Sequence, residues 1–260
     1  MRKNKNPLTP AGERARVRGC AAIAALLFSA VSISAPASGG AALPFSFKPD
    51  TGSEASLQRG ARNYMAYCSG CHSLKYLRYN RLGKDLGISE DLLKKHLMPE
   101  GAKPGDVIKT AMLAAESEKW FGRTPPDLSL STRERGPDWV YSYLLSFYLD
   151  PSKPTGVNNL VLEGAAMPHV LGGLQGWQVL EKEPVVNEGH HGPNFKLVQP
   201  GALSPTEYKG FVGDLTNFMV YAAEPGRNAR VSLGWKVLAY ILLFWGLAYL
   251  LKQEFWKDVH

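Results

Sequence analysis

Two cysteines and a histidine stand within five residues, in the order Cys68-Ser69-Gly70-Cys71-His72. Positions i, i+3 and i+4 share one face of a helical turn, so both thiols and the imidazole can face one flat object. This is the attachment pattern of c-type haem, in which the thiols add to two vinyl groups and the imidazole ligates the iron. The spacing therefore predicts one covalently bound haem.

Other uses of two neighbouring cysteines fit this sequence less well. A zinc site needs four ligands, usually in two pairs, and the chain has no second cysteine pair. A thioredoxin-like redox pair would need a βαβ context, which the surrounding sequence lacks. A disulfide between residues three apart is strained and uncommon. Covalent haem is thus the preferred interpretation.

A second axial ligand to the iron must come from elsewhere in the chain. Met167 lies in the stretch Glu-Gly-Ala-Ala-Met-Pro-His, where small neighbours and irregular backbone would let its thioether approach the iron. His169 is the main rival, whereas His190 and His191 lie in a stretch typical of a solvated turn. Four other methionines are expected either too close to the attachment turn or in the core, namely Met65, Met98, Met112 and Met219.

Two helices are expected to frame the attachment turn. Ser53 is a candidate N-cap for a helix over residues 53–67, which leads directly into the cysteines. Gly60 lies in this helix, where the absence of a side chain would let another helix come close. The expected partner begins at Ser204-Pro205-Thr206-Glu207, a capping box with proline at the first helical position, and it stops near Pro225.

The net charge of +7 does not indicate nucleic-acid binding. Residues 1–37 hold six basic residues and one acidic residue, so they account for +5 of that charge. The remaining chain is nearly balanced, with 24 basic and 22 acidic residues. It therefore has no basic stripe that would bind phosphates.

The N-terminus is typical of a secretory signal peptide over residues 1–42. A basic region precedes an apolar run of about 14 residues, and small residues follow it. Cleavage is expected after Ala37 or after Ala42. An uncleaved anchor is less favoured, because the run is too short to span roughly 30 Å of hydrocarbon. An organelle import sequence is the other alternative, because this start is rich in arginine and poor in acidic residues.

The C-terminal part of the chain predicts a single membrane anchor. Residues 232–251 form an apolar run of 20 residues with one charge, Lys236, and a helix of that length spans about 30 Å. A buried core helix is the alternative. With a cleaved signal, residues 43–230 become an exported domain, residues 231–252 the anchor, and residues 253–260 a cytoplasmic tail.

A longer set of motifs resembles the cytochrome c1 family, the haem c subunits of the cytochrome bc1 complex (ubiquinol–cytochrome c oxidoreductase). The set covers most of the exported domain and ends at the anchor. In chain order it comprises Cys68-Ser69-Gly70-Cys71-His72-Ser73, Pro125-Pro126-Asp127-Leu128-Ser129, Arg133 and Arg135, residues 136–145, Pro154-Thr155-Gly156-Val157, the Met167 loop and Ala222-Ala223-Glu224-Pro225. The haem motif alone is unspecific among c-type cytochromes, whereas the ordered set with a C-terminal anchor is specific.

The resemblance implies a mostly α fold: a cytochrome c-like haem domain with loop insertions and one C-terminal transmembrane helix. It implies one haem c, bound covalently through Cys68 and Cys71. It also implies His72 and Met167 as the two axial ligands of the iron.

Two physical roles can be assigned to other matched residues. A carbonyl of the Pro125–Pro126 turn, with Pro126 as the candidate, could accept a hydrogen bond from the His72 ring N–H, which would fix the tautomer of the ligand. Arg135 or Arg133 could pair with a haem propionate, because a guanidinium suits a carboxylate. A solvated loop face is the alternative for both arginines.

The function implied by the resemblance is one-electron transfer from a Rieske iron–sulfur protein to a soluble or membrane-bound cytochrome c. The other expected partners are cytochrome b and membrane lipid, in a dimeric complex that is an enzyme; whether the chain alone is one stays open. One alternative is a free-standing anchored cytochrome that serves a terminal oxidase or a nitrogen-oxide reductase. Another is a haem enzyme such as a peroxidase, which would need an open iron position.

One stretch departs from the mitochondrial members of the family. Residues 171–201 are longer than expected, and residues 185–198 could form a hairpin with a long turn. This insertion favours a bacterial inner membrane over an organelle, with the large domain in the periplasm. Glu181, Glu183 and Glu188 form a candidate acidic patch for a basic electron acceptor, although an ordinary solvated face is the alternative.

Overall fold

The computed structural model of the protein describes residues 43–181 and 194–258. The expected signal peptide and its cleavage positions, Ala37 and Ala42, lie outside these residues. The helices are α1 (Glu54–Tyr67), α2 (Tyr79–Asp85), α3 (Glu90–His96), α4 (Ala114–Phe121), α5 (Ser131–Glu134), α6 (Pro137–Leu145), α7 (Gly172–Gln175), α8 (Pro205–Ala223) and α9 (Arg227–Phe255). The strands are β1 (Leu74–Arg78), β2 (Val107–Ile108), β3 (Phe147–Leu149), β4 (Val157–Asn159), β5 (Gly176–Leu180) and β6 (Phe195–Pro200).

Helices α1 and α8 pack closely against each other beside the attachment turn. The Ser53 side chain caps α1, and the capping box of Ser204 and Glu207 begins α8. A Cβ atom added at Gly60 would lie 2.1 Å from the backbone oxygen of Asp214, so only glycine allows this approach. Both helices and their contact at Gly60 are confirmed.

A hydrophobic core lies between this helix pair and the shorter elements. Its largest fully buried side chains include Tyr64, Phe147 and Phe218. Helix α6 joins this core and receives a hydrogen bond from α8, in which the Tyr208 hydroxyl donates to the Leu144 carbonyl at 2.9 Å. Burying these large apolar side chains supplies most of the driving force for folding.

The expected core positions of the methionines are only partly correct. Met219 is buried in the core, and Met98 packs against it. Met112 is different, because it lies in the irregular segment before α4 and is only half-buried. The expected core position of Met112 is therefore wrong, and α4 starts two residues later.

The strands form three short antiparallel pairs, β1–β2, β3–β4 and β5–β6. The mostly α fold with loop insertions is therefore confirmed, and the strands lie within the loops between helices. The pair β5–β6 is a hairpin in the inserted stretch, but its first strand lies at residues 176–180. The hairpin therefore starts earlier than the expected residues 185–198, of which 185–193 lie outside the described residues.

Helix α9 is the candidate membrane span. It contains 29 residues, it has no buried residue, and it is the only helix in the described chain that is long and apolar enough to cross a bilayer. The helix extends beyond the expected anchor, residues 231–252, at both ends. Near its start, the Asn228 side-chain amide donates to the Thr51 carbonyl at 2.8 Å, which ties the helix to the segment before α1.

Candidate haem-binding site

The attachment turn follows directly from the end of α1. Cys68 caps the helix, and its N–H donates to the Tyr64 carbonyl at 2.8 Å. The N–H groups of Cys71 and His72 both donate to the Cys68 carbonyl, at 3.1 Å and 2.9 Å. This turn keeps the two cysteines and the histidine in one tight loop of backbone, as their spacing predicts.

The two cysteines are free thiols, and the turn exposes them differently. Cys68 is buried and Cys71 is partly exposed. Burial raises the pKa of the Cys68 thiol to about 12, because the thiolate is poorly solvated inside the protein.

The His72 ring is buried and hydrogen-bonded through one nitrogen. Its Nδ1 atom lies 2.7 Å from the Pro126 carbonyl oxygen, and the ring donates in this pair because a carbonyl can only accept. The proton is thereby held on Nδ1, which leaves Nε2 as the nitrogen with a lone pair for a metal. Burial lowers the pKa of His72, so the neutral imidazole that can act as a ligand is favoured.

The segment that carries Pro126 is fixed against the attachment turn by Asp127. Its carboxylate accepts hydrogen bonds from the backbone N–H groups of Lys75 at 3.0 Å and Ser129 at 2.9 Å. The Leu128 N–H donates to the Ser73 carbonyl at 2.9 Å. The position of the Pro126 carbonyl is therefore set by the hydrogen bonds of the three residues that follow it.

Met167 lies in the irregular segment between β4 and α7. Its side chain is half-buried and packs against the hydrophobic core. Gly164 in the same segment has a φ of +70°, a conformation that glycine adopts without strain. The segment thus has the small residues and the irregular backbone that are expected around a side chain that must come close to a haem.

His169, the rival ligand, has aromatic neighbours on two sides. Its ring stacks on Phe147 with centroids 4.9 Å apart and meets Trp177 edge-on at 5.8 Å. Burial lowers the pKa of His169 to about 4, so the ring is neutral at physiological pH. These contacts give His169 a structural role in the Met167 segment.

The two arginines expected near a propionate are exposed. Arg133 lies in α5 and Arg135 follows it, and neither forms an ion pair with a described residue. The Arg135 guanidinium instead lies over the Trp139 ring, 4.5 Å from its centroid. This cation–π contact keeps the guanidinium at the surface with its N–H groups available to an acceptor.

The expected acidic patch is only partly within the described residues. Glu181 is exposed, accepts a hydrogen bond from Asn194 at 2.6 Å and lies 3.9 Å from the Lys196 ammonium. Glu183 and Glu188 lie outside the described residues. Because Lys196 offsets part of its negative charge, Glu181 alone would attract a basic protein only weakly.

Several residues that shape the site were missed at the level of sequence. Tyr64 donates its hydroxyl to the His72 carbonyl at 3.1 Å, and Asp127 holds the Pro126 segment. From the inserted hairpin, Trp177 contacts His169, and Gln178 donates to the Phe147 carbonyl beneath it. The Pro-Pro-Asp-Leu-Ser motif pointed to Asp127, whereas no local pattern indicated the long-range contacts of Trp177.

Comparison with known proteins identifies the family. The family model described as "Cytochrome C1 family" matches residues 45–175 and 203–259. The chain is 53% identical to the cytochrome c1 of Allochromatium vinosum over 86% of this chain and 93% of that protein. It is 46% identical to a protein named ammonia monooxygenase gamma subunit, from Nitrosomonas europaea, over 81% of this chain and 86% of that one.

Among solved structures, a chain of a hyperthermophilic respiratory complex III aligns over 95% of this chain and 99% of its own length, with a TM-score of 0.43 and 16% identity. The family match and the identity to the Allochromatium protein each cover most of the chain. By these two criteria, the chain belongs to the cytochrome c1 family.

Proposed function

We propose that this chain is the haem c subunit of a membrane quinol–cytochrome c oxidoreductase and passes single electrons within that complex. The observation that carries the proposal is the attachment turn: two free thiols lie beside an imidazole whose Nδ1–H is held by the Pro126 carbonyl. Family membership supports the same cofactor and the same complex.

The described side chains fit a covalent haem. The thiols of Cys68 and Cys71 would each add across one vinyl group, forming a carbon–sulfur bond while the thiol proton moves to the neighbouring carbon. This addition needs no oxidant, because every atom of both reactants stays in the product. When bound, the haem iron supplies one-electron redox chemistry.

His72 and Met167 are the residues that would hold the haem iron. The Pro126 carbonyl orients the His72 ring and increases the basicity of the ring as a ligand. A Met167 thioether on the iron would favour the reduced state and so raise the potential. With both residues bound, the iron would have no open position for oxygen or peroxide, which favours electron transfer over a peroxidase.

Arg135 and Arg133 are the candidates to bind a haem propionate. Both are exposed, and the Trp139 ring orients the Arg135 side chain. A guanidinium beside a propionate would balance its negative charge and thereby raise the reduction potential. If both arginines instead lie on a solvated face, replacing either one would leave the potential unchanged.

The proposed partners are cytochrome b, a Rieske iron–sulfur protein as donor and a soluble or membrane-bound cytochrome c as acceptor, in a dimeric complex. The proposed location is a bacterial inner membrane, with the haem domain in the periplasm, α9 in the membrane and the tail in the cytoplasm. The signal peptide expected from the sequence and the apolar helix α9 support this proposal.

A second candidate function has a specific observation in its favour. The relative at 46% identity is named as a subunit of an ammonia monooxygenase, so this chain could instead supply electrons to a membrane oxygenase. The two candidates share the haem site and differ in the protein that surrounds it. The partners that co-purify with the chain therefore distinguish them.

The test is purification of the tagged full-length chain from gently solubilised membranes, followed by a reduced-minus-oxidised spectrum. We expect both c-type and b-type haem bands, together with an iron–sulfur protein. A c-type band alone, under several mild detergents, would leave a free-standing anchored cytochrome. Co-purification with oxygenase subunits would support the second candidate.

The orientation has a separate test with a C-terminal tag. In spheroplasts, added protease should remove the haem domain and leave the tag on a short membrane-protected fragment. Lysed spheroplasts serve as the control, because the tag should then be digested as well. Loss of the tag in intact spheroplasts would contradict a cytoplasmic tail.

A further inference from the structure

The inserted hairpin is an addition to the family pattern. The family match covers residues 45–175 and 203–259, and β5 and β6 lie in the interval between these ranges. The proposed haem site therefore includes a structural element that the family pattern does not account for. Its contacts with the Met167 region suggest what this element does.

The base of the hairpin is fixed tightly to helix α7. A Cβ atom at Gly176, where φ is +88°, would lie 2.3 Å from the Gln199 carbonyl oxygen, and one at Gly201 would lie 2.3 Å from the Leu174 oxygen. The Leu203 N–H donates to the Leu174 carbonyl at 3.0 Å. The two strands therefore leave and rejoin the domain at one place, which limits movement of the hairpin base.

The first strand of the hairpin also binds the core strand β3. The Gln178 side chain is buried, and its amide donates to the carbonyls of Phe147 at 2.7 Å and Leu145 at 3.1 Å. Leu145 is the last residue of helix α6, where backbone acceptors lack helical partners, and Phe147 begins strand β3. Strand β5 is thus held beside Phe147 by two hydrogen bonds from one side chain.

The neighbouring residue, Trp177, contacts the Met167 segment directly. Its indole meets the His169 ring edge-on at 5.8 Å, and His169 stacks on the buried Phe147 ring at 4.9 Å. Trp177 also covers Gly172, where an added Cβ would lie 3.1 Å from the indole. His169, two residues after Met167, is therefore held between the Phe147 ring of the core and the Trp177 ring of the hairpin.

We infer that the inserted hairpin braces the segment that carries Met167, with Trp177 and Gln178 as positioning residues for that ligand. The inference rests on the proposed function, because it holds only if Met167 binds the haem iron. A thioether is a weak ligand that detaches when its loop moves. A brace on His169 limits that movement and keeps a larger fraction of the protein with Met167 bound.

The experiment compares Trp177→Leu with Phe195→Leu in the full-length protein. Phe195 is a half-buried aromatic residue at the far end of the same hairpin, paired with Leu180, so it is a matched control. The readouts are the methionine–iron charge-transfer absorption of the oxidised protein, carbon monoxide binding to the reduced protein, the midpoint potential, and the covalent haem content.

We expect the Trp177→Leu protein to retain its covalent haem and to have a lower midpoint potential. The fraction of reduced protein that binds carbon monoxide should rise roughly fivefold, which is the effect of losing about one aromatic pair. Trp177→Phe should restore most of the wild-type behaviour, because it keeps an aromatic edge toward His169. Phe195→Leu should behave as wild type in every readout.

Equal behaviour of Trp177→Leu and Phe195→Leu would overturn the brace while leaving the haem function intact. A wild-type protein with covalent haem but without the methionine–iron absorption would overturn the ligand assignment and the brace together. A wild-type protein without covalent haem would contradict the proposed function itself. The failure of the brace is therefore distinguishable from the failure of the function.

Discussion

At the scale of single residues, the site depends on groups that hold a ligand without touching the cofactor. The Pro126 carbonyl sets the tautomer of His72, and the Asp127 carboxylate holds the Pro126 segment through two backbone N–H groups. Hydrogen bonds to a charged acceptor are stronger than neutral ones. Asp127 should therefore matter for both stability and the electronic properties of the haem.

Replacing Asp127 by alanine removes two charge-assisted hydrogen bonds and should lower the free energy of unfolding by about 2 kcal/mol. For a domain of this size, the thermal midpoint in detergent should fall by about 5 °C. Asp50→Ala is the matched control, because its carboxylate is exposed and accepts a local hydrogen bond from Gly52. Equal midpoints for the two variants would show that Asp127 does not hold the Pro126 segment.

At the scale of elements, the helix pair α1–α8 determines where the attachment turn lies. The close contact at Gly60 is reinforced by Arg59, whose guanidinium binds the Asp214 carboxylate at 2.6 Å and 2.9 Å. Ser56 donates to the same carboxylate at 2.6 Å. The distance between the two helices is thus set by the absence of a side chain at Gly60 and by the hydrogen bonds of Arg59 and Ser56 to Asp214.

Gly60→Ala tests this packing directly. The added methyl group would lie 2.1 Å from the Asp214 backbone oxygen, so the helices must separate, at a cost of about 3 kcal/mol. Gly210→Ala is the control in α8, since a methyl group added there would have no atom within 4 Å, and it should be neutral or slightly stabilising. Thermal unfolding of both holoproteins in detergent gives the comparison; similar midpoints would contradict the close contact.

The capping box of α8 gives a pH-dependent prediction. Hydrogen bonds from the Ser204 side chain and backbone lower the pKa of Glu207 below its usual value of 4.5. A lowered pKa in the folded state adds stability above pH 4.5, and that stability is lost as the pH falls through the folded value. Glu207→Gln should therefore lower the thermal midpoint at pH 6, and the difference should shrink below pH 4.5. A difference that is constant with pH would contradict the assignment.

The main helices could be predicted from sequence because their signals are local. Ser53, Ser204 and Glu207 cap the helices whose starts they mark, and Gly60 lies at the helix contact. The sequence predicted a hairpin in the inserted stretch but not the position of its first strand, because that strand pairs with residues about 20 positions later. The stacking of Trp177, His169 and Phe147 was not predictable, since it joins three elements through tertiary packing.

At the scale of the whole molecule, the fold joins a domain of the cytochrome c1 family to the apolar helix α9. Helix α9 begins four residues after α8 ends, and Asn228 joins its first turn to Thr51. The haem domain is therefore connected to the membrane by a short, hydrogen-bonded junction and not by a long linker.

The proposed function depends most on one assignment, that the attachment turn and Met167 hold a six-coordinate haem. Its most direct test is the spectrum of the full-length protein purified with Met167 replaced by leucine, with Met219→Leu as the control in the buried core. We expect Met167→Leu to keep its covalent haem, lose the methionine–iron absorption, bind carbon monoxide when reduced and have a lower potential. Met219→Leu should match the wild type. A Met167→Leu protein that keeps a six-coordinate spectrum and an unchanged potential would contradict the assignment of Met167. His169 would then be the next candidate for the second ligand of the iron.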